Sequence, residues 1–564
     1  MTHDLSAVTP DFAEADVRSI AAKLLQDATA AAQPTMPDIP QPLARPLPPP
    51  LPGIPPLSGI PPLSGIPPLS AVPAQAAPQL DSLRHASETT ALRTTPARLQ
   101  SESITTTHSP TTTATAVSRF VSQMSPGLDS ITREFHRVAA QVSATPGSTR
   151  VFDPLQVRSD FPILHQQIHG KPLVWLDNAA TTQKPRCVID AISRFYLEDN
   201  SNIHRGAHTL AARATDAWEN ARQCVQKFLG AASPSEIIFL RGTTEAINLV
   251  AQTVGRCFLR PGDEIILTVL EHHANIVPWQ MAARETGAVI RVVPVDERGE
   301  IQLDAFESLL GPRTKLVSLT HASNSLGTIL PVEQMTAAAK RHGALVLIDG
   351  AQTVSHMPVN VQSIGCDFFV FSGHKIFAPT GIGALYARRE LQQVMPPWQG
   401  GGNMIRTVTF EETTWSEPPA KFEAGTPSVA DAVGLQAAIE YLLALGWPAI
   451  LRHEHELLEY GTARLLEVPR LRLIGQARNK VGVLSFVLPN RTPEEIGRLL
   501  DREGIAVRAG HHCAQPSLRR FGLDATVRPS LAIYNTTSDI DRLADAVHRI
   551  ATSPVKDPPG PPLK

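Results

Sequence analysis

Five short apolar runs, at residues 237–240, 264–269, 316–320, 345–348 and 368–371, punctuate the middle of the chain, with amphipathic stretches between several of them. Runs this short are strand length, and covering helices let a strand be apolar throughout because both of its faces are buried. The alternation predicts a doubly wound α/β domain with a mostly parallel sheet, spanning about residues 175–435. A smaller α+β domain is expected from residues 151–174 together with 440–552, followed by a flexible tail at 553–564.

The first 150 residues have a different texture. They hold 22 of the 50 prolines and no Trp, Tyr or Cys. Such a segment cannot bury enough apolar surface to offset the entropy of folding, so disorder is expected over most of it. Within it, Gly53-Ile-Pro-Pro-Leu-Ser58 recurs as residues 59–64 and again as 65–70. Double prolines favour an extended polyproline II path that leaves Ile and Leu available as contact points. The repeat reads either as a semi-rigid spacer or as a multivalent docking tag. Two short helices are expected within the region, one carrying Val17, Ile20 and Leu24, the other Leu128, Ile131, Phe135 and Val138.

A formal net charge of −2 gives no reason to expect nucleic acid or an acidic membrane as partner. No apolar run reaches the roughly 18 residues of a membrane span, and the polar opening at Met1 does not read as a secretion signal. Five widely spaced cysteines without a CxxC pair argue against a disulfide framework and against a Cys-rich zinc site. A reducing cytoplasm fits that usage.

The chemistry gathers where the runs end, at the edge where open α/β sheets bind ligands. Phe371-Ser-Gly-His-Lys375 follows the last run, and a partly desolvated lysine amine there can anchor a cofactor covalently. Gly242-Thr243-Thr244-Glu245 follows the first run and opens a helix, a phosphate cradle or an ordinary capping box. Asp349 ends the fourth run, where a carboxylate can keep a pyridine nitrogen protonated. Glu271-His272-His273-Ala-Asn275 follows the second run and Ser323-Asn324 the third. An imidazole at that edge can stack on a ring or shuttle protons. The competing use is zinc, held by His272, His273, His511 and His512. Adjacent histidines point apart on a strand and these four form no His-x-x-x-His pair, so no metal is expected.

Together, Leu176-Asp-Asn-Ala-Ala-Thr-Thr182, Gly242-Thr-Thr-Glu-Ala-Ile-Asn248, Glu271-His-His-Ala-Asn-Ile-Val-Pro-Trp279, Asp349-Gly-Ala-Gln352, Ser372-Gly-His-Lys375 and Arg508-Ala-Gly-His-His-Cys513 resemble the SufS-type (group II) cysteine desulfurases. These are pyridoxal-phosphate (PLP) enzymes of fold type I, similar to aspartate aminotransferase, and the resemblance covers about residues 151–552. It implies that Lys375 carries PLP, that Thr243, Thr244, Ser372 and His374 hold its phosphate with Thr426 of a second subunit, and that Asp349 pairs with the pyridinium. Gln352 would bond the ring hydroxyl and His272 would stack on the ring. Arg528 would clamp the carboxylate of L-cysteine with help from Asn324. His204 and Arg205 would enter the partner's site, making the enzyme a homodimer. Cys513 would take the sulfur as a persulfide, leaving alanine.

Two positions depart from that pattern: Ala378 stands where the family usually has glycine, and Ser325 where it usually has an apolar residue. The resemblance further implies a SufE-like or SufU-like sulfur acceptor, with iron–sulfur cluster assembly or sulfur storage as the destination. The extension at 1–150 resembles the cargo-loading domains of desulfurases packaged in family 2 encapsulin nanocompartments. A selenocysteine lyase or cysteine-sulfinate desulfinase would share nearly all these residues. A mainly structural cargo protein is the reading from a different class.

Overall fold

The computed structural model describes residues 152–204 and 206–554. The Pro-rich region with its repeats and two expected helices, Arg205, and residues 555–564 of the tail lie outside the described residues.

A seven-stranded sheet organises the fold. Its strands are β1 (Ile237–Leu240), β2 (Glu264–Thr268), β3 (Val289–Val293), β4 (Thr314–Thr320), β5 (Leu345–Asp349), β6 (Phe368–Ser372) and β7 (Gly383–Ala387), in the order β1-β7-β6-β5-β4-β2-β3. The pairings from β6 through β5, β4 and β2 to β3 are all parallel. β7 runs antiparallel to both its neighbours, β6 and β1. The five apolar runs therefore form the strands expected of them in a mostly parallel sheet. β3 and β7 carry a weaker signal: β3 is a half-exposed edge broken by Arg291, and β7 is rich in the poor strand formers Gly and Ala.

The period of two within each run divides its side chains between two cores. In β6, Phe369 and Phe371 enter one core while Phe368 and Val370 enter the other. In β5 the division is Val346 and Ile348 against Leu345 and Leu347. Truncating one of these phenylalanines to alanine should cost about 3–5 kcal/mol.

Helix α1 (Thr209–Leu229) covers one face with buried Ala211, Ala214, Trp218, Ala221, Val225 and Phe228, a three- and four-residue stripe, and ends at left-handed Gly230. Helix α2 (Thr243–Val250) follows β1. Helix α3 (Val429–Leu445) packs on α1 and turns by 81° at Gly446 into α4 (Trp447–Leu466). Among the described residues no single helix is long and apolar enough to cross a membrane.

Beyond α4 lies a four-stranded antiparallel sheet of β8 (Arg472–Leu473), β9 (Phe486–Val487), β10 (Arg508–Gly510) and β11 (Thr526–Arg528), in the order β8-β9-β11-β10. Val174–Trp175 pairs in parallel with Ile505–Ala506, bringing residues 176–184 toward the carboxyl end of the large sheet.

Candidate active site

Lys375 ends a tight turn, Gly373–Lys375, directly after β6. The carbonyl of His374, one peptide before it, accepts four donors: Thr182 N–H at 3.0 Å, Thr181 Oγ1 at 3.0 Å, Thr182 Oγ1 at 3.2 Å and Lys184 Nζ at 3.5 Å. Burial lowers the Lys375 ammonium to a pKa of about 8; Asp349 and Cys513 oppose the shift and Arg528 adds to it. The free-base fraction of the amine near neutral pH is thus far larger than that of an ordinary lysine, and free base predominates above about pH 8.

The start of α2 lies beside this turn. Gly242 is its cap, at φ 149°, with no side chain capping the helix. Glu245 instead accepts the Arg241 N–H at 2.7 Å, so the capping-box reading is not realised. The Thr243 N–H donates to Ser372 Oγ at 2.9 Å, and that hydroxyl donates to Thr243 Oγ1 at 2.9 Å. The packing demands glycine: a Cβ on Gly242 would lie 2.9 Å from Ser372 Oγ, and one on Gly383 only 2.6 Å from the Gly242 Cα. Unshared helix N–H groups, two hydroxyls and close backbone approach suit an anion such as a phosphate.

Asp349 is buried at the end of β5 and accepts the Ala351 N–H at 2.9 Å. Burial raises its pKa, while that bond and the Lys375 charge lower it, an arrangement that favours a cationic partner. Gln352 donates to the Ala179 carbonyl at 2.7 Å. His272 accepts the Ala274 N–H on Nδ1 at 3.0 Å, which puts the proton of the neutral ring on Nε2. Burial first, then Lys375, lowers its pKa to about 3, so it is neutral at working pH.

Beneath His272 lies a buried polar network. Glu271 accepts from Thr268 Oγ1 at 2.6 Å, the Thr320 N–H at 3.0 Å and Asn275 Nδ2 at 2.6 Å. Asn275 Oδ1 in turn accepts from Trp279 Nε1 at 3.0 Å and Ser318 Oγ at 2.6 Å. The network ties the turn carrying both histidines to β2 and β4.

Opposite, Arg528 is buried on β11. Its Nη1 donates to the Asn324 carbonyl at 2.9 Å and its Nη2 to Asp177 at 3.4 Å. Asp177 also pairs with Arg508 at 2.8 Å, which offsets the repulsion of two arginines directly opposed in the β10–β11 register. Burial brings the Arg528 pKa down to about 10, against the pull of Asp177. Three buried polar atoms in this region have no hydrogen-bond partner: Arg528 Nε, Asn324 Oδ1 and His512 Nδ1. Buried atoms of this kind normally find partners, and a bound polar ligand would supply them.

Cys513 is exposed, at the tip after β10, and its charge reaches both Lys375 and Arg528. Burial pushes Cys224 up to about 12 and Cys366 higher still, and Cys187 and Cys257 are also raised by burial.

The aminotransferase class-V family matches this chain over residues 174–543, a span that holds every group just described. The chain belongs to that family. A cysteine desulfurase of Synechococcus elongatus is 61% identical over 401 residues, covering 71% of this chain and 64% of the relative. This chain thus spans less than two thirds of that relative's length. A cysteine desulfurase of Dickeya dadantii is 50% identical over 396 residues, covering 70% of this chain and 96% of the relative. Among solved structures, the apo cysteine desulfurase of Thermococcus onnurineus superposes with a TM-score of 0.68 at 37% identity, covering 72% of this chain and 99% of that one.

Within this class-V fold, Lys375, Asp349, His272, Arg528 and Cys513 are electrostatically coupled, and Thr243 and Ser372 meet. His374 adjoins Lys375, and burial and the Lys375 charge lower its pKa to about 4. Asn324 reaches the cysteine tip by donating to the His512 carbonyl at 2.7 Å. Thr244, Thr426 and His204 are exposed, and among the described residues no hydrogen bond or ion pair joins them to this cluster. Ser325 has its polar partners in Ser323 and Ser517, at 3.2 and 3.1 Å, and Ala378 is fully buried in the loop after Lys375. Sequence reasoning missed Asp177, Lys184 and Glu271. The first two lie in or beside Leu176–Thr182, whose residues carry no distinctive pattern, and the histidines that follow Glu271 are the stronger local signal.

Proposed function

We propose that this chain is a PLP-dependent cysteine desulfurase of the SufS type, converting L-cysteine to L-alanine with the sulfur passed to Cys513. The observation that carries the reading is a lysine with lowered pKa that feels a buried carboxylate, a buried arginine and an exposed cysteine at one sheet edge. The residues present fit the cofactor: an uncapped helix start for a phosphate, Asp349 for a ring nitrogen, and Lys375 for the covalent attachment. When bound, PLP supplies an electron sink for charge developing at the substrate α-carbon.

The side chains then divide the work. Arg528 holds the substrate carboxylate through its guanidinium fork, with Asn324 beside it. Lys375 takes the α-proton, as an amine with pKa of about 8 can near neutral pH. Cys513 attacks the substrate sulfur as a thiolate; the carbon–sulfur bond breaks with its electron pair going to the substrate β-carbon, which is protonated to complete alanine, and Cys513 is left as a persulfide. Thr426 and His204, exposed here, are assigned to the site of a second subunit in a homodimer. A SufE-like or SufU-like protein would accept the sulfur. Residues 1–150 would direct the enzyme into an encapsulin shell, on the strength of the Gly-Ile-Pro-Pro-Leu-Ser repeats.

Lys375→Ala tests the core of this reading. The wild type should show the visible absorption band of Lys-bound PLP, absent from the variant along with turnover. A variant that keeps the band would move the anchor elsewhere. For the extension, co-expression of a shell protein with full-length and 151–564 chains should package only the former.

A further inference from the structure

The tip after β10 holds two consecutive non-glycine residues in the left-handed region, His512 at φ 54° and Cys513 at φ 53°. That backbone is strained and persists only where the surroundings hold it. It turns His512 inward, where Nε2 meets Thr526 Oγ1 at 2.8 Å, and leaves His511 and Cys513 exposed on either side. His273 approaches from the turn after β2. Its N–H donates to the Cys513 carbonyl at 2.8 Å, and its Nε2 accepts the Gln515 N–H at 3.2 Å. His511 Nδ1 accepts the Cys513 N–H at 3.0 Å, and the rings of His273 and His511 stack with centroids 5.7 Å apart.

The outcome is a different histidine set from the four weighed in the sequence. His272 and His512 turn away, while one nitrogen each of His273 and His511 and the Cys513 Sγ all lie within 4.8 Å of one another. We propose that His273, His511 and Cys513 form a binding site for a thiophilic divalent cation, Zn2+ in the first instance, which reversibly masks the Cys513 thiolate. One thiolate and two imidazoles are a donor set that zinc prefers, with a fourth position open to water. Tetrahedral zinc needs its donors roughly 3.5 Å apart, so three partly or fully exposed side chains must draw in by about 1 Å. A neutral imidazole has one lone pair, and here each is given to an amide N–H. Zinc takes those lone pairs, so binding releases the Cys513 and Gln515 amides. The masking rests on the reading of Cys513 as nucleophile; the metal site itself does not.

The test is calorimetric titration of Zn2+ into PLP-loaded, untagged full-length protein, with peptide-resolved alkylation of the cysteines. One Zn2+ per chain is expected. Affinity should fall at least tenfold in His273→Ala and in His511→Ala, and at least a hundredfold in Cys513→Ser, in variants that keep the PLP absorption of the wild type. Saturating Zn2+ should slow alkylation of Cys513 at least tenfold, leave Cys187 and Cys257 unchanged, and speed amide exchange at Cys513 and Gln515. Absence of saturable binding, binding indifferent to all three substitutions, or unprotected Cys513 would overturn the proposal. Protection in a protein that never turns over cysteine would uphold the metal site while the desulfurase reading fell.

Discussion

The carbonyl oxygen of His374 accepts the Thr182 N–H at 3.0 Å, so a segment nearly two hundred residues away in sequence grips the turn that presents Lys375. Thr182 is buried, and its hydroxyl also accepts the Phe377 N–H at 2.7 Å, which holds the chain on both sides of the lysine. Thr182→Val keeps the backbone bond but removes the hydroxyl, which donates to the His374 carbonyl at 3.2 Å and accepts the Phe377 N–H, at nearly constant volume. It should cost about 1–3 kcal/mol of stability and lower kcat more than it raises KM, with Thr182→Ser restoring most of both. Steady-state kinetics and thermal unfolding of the two variants check this. Equal kinetics in Thr182→Val would leave the hydroxyl a structural role only.

Glu271 has a pH signature. Burial raises its pKa from 4.5 to about 7, against the three hydrogen bonds it accepts. Between those values the native protein holds a proton that the unfolded chain gives up, so this group's contribution to stability falls as pH rises from about 4.5 through 7. Glu271→Gln does not titrate. Whatever constant offset the lost hydrogen bond adds, the stability of the variant relative to wild type should rise by up to about 3 kcal/mol between pH 4.5 and pH 8. Urea unfolding at several pH values measures it, and parallel curves would mean that Glu271 is ionised throughout.

Arg528→Lys keeps the charge and loses the planar fork. It should raise KM for cysteine at least tenfold with a smaller change in kcat, because carboxylate binding is shared by ground state and transition state. A kcat loss with unchanged KM would instead place Arg528 away from the carboxylate.

The sheet was legible because burial on both faces turns each central strand into an apolar run, and the chemistry stands at the run ends. Phe368 to Phe371 and then Lys375 is the clearest instance. β7 was not legible, since its Gly and Ala serve close packing: Gly383 touches Gly242, a contact that no local pattern encodes. The same holds for the residues that orient rather than react. Asp177, between Arg508 and Arg528, and Glu271, beneath His272, acquire their roles only when strands distant in sequence meet. The trio of His273, His511 and Cys513 was hidden for a related reason. Neither histidine pair lies on a strand: His273 opens a short turn after β2, and His511–Cys513 follow β10 in a turn whose residues 512 and 513 are left-handed, so the period-two argument does not govern which rings meet.

The most direct test of the central claim is release of alanine and sulfide from L-cysteine by the purified PLP-loaded protein, with Cys513→Ala measured beside it. The account predicts equimolar alanine and sulfide, in the presence of a reductant, from the wild type and at least a hundredfold less from the variant, with the PLP absorption of both unchanged. Turnover in the variant equal to wild type would contradict the assignment of Cys513 as the sulfur acceptor.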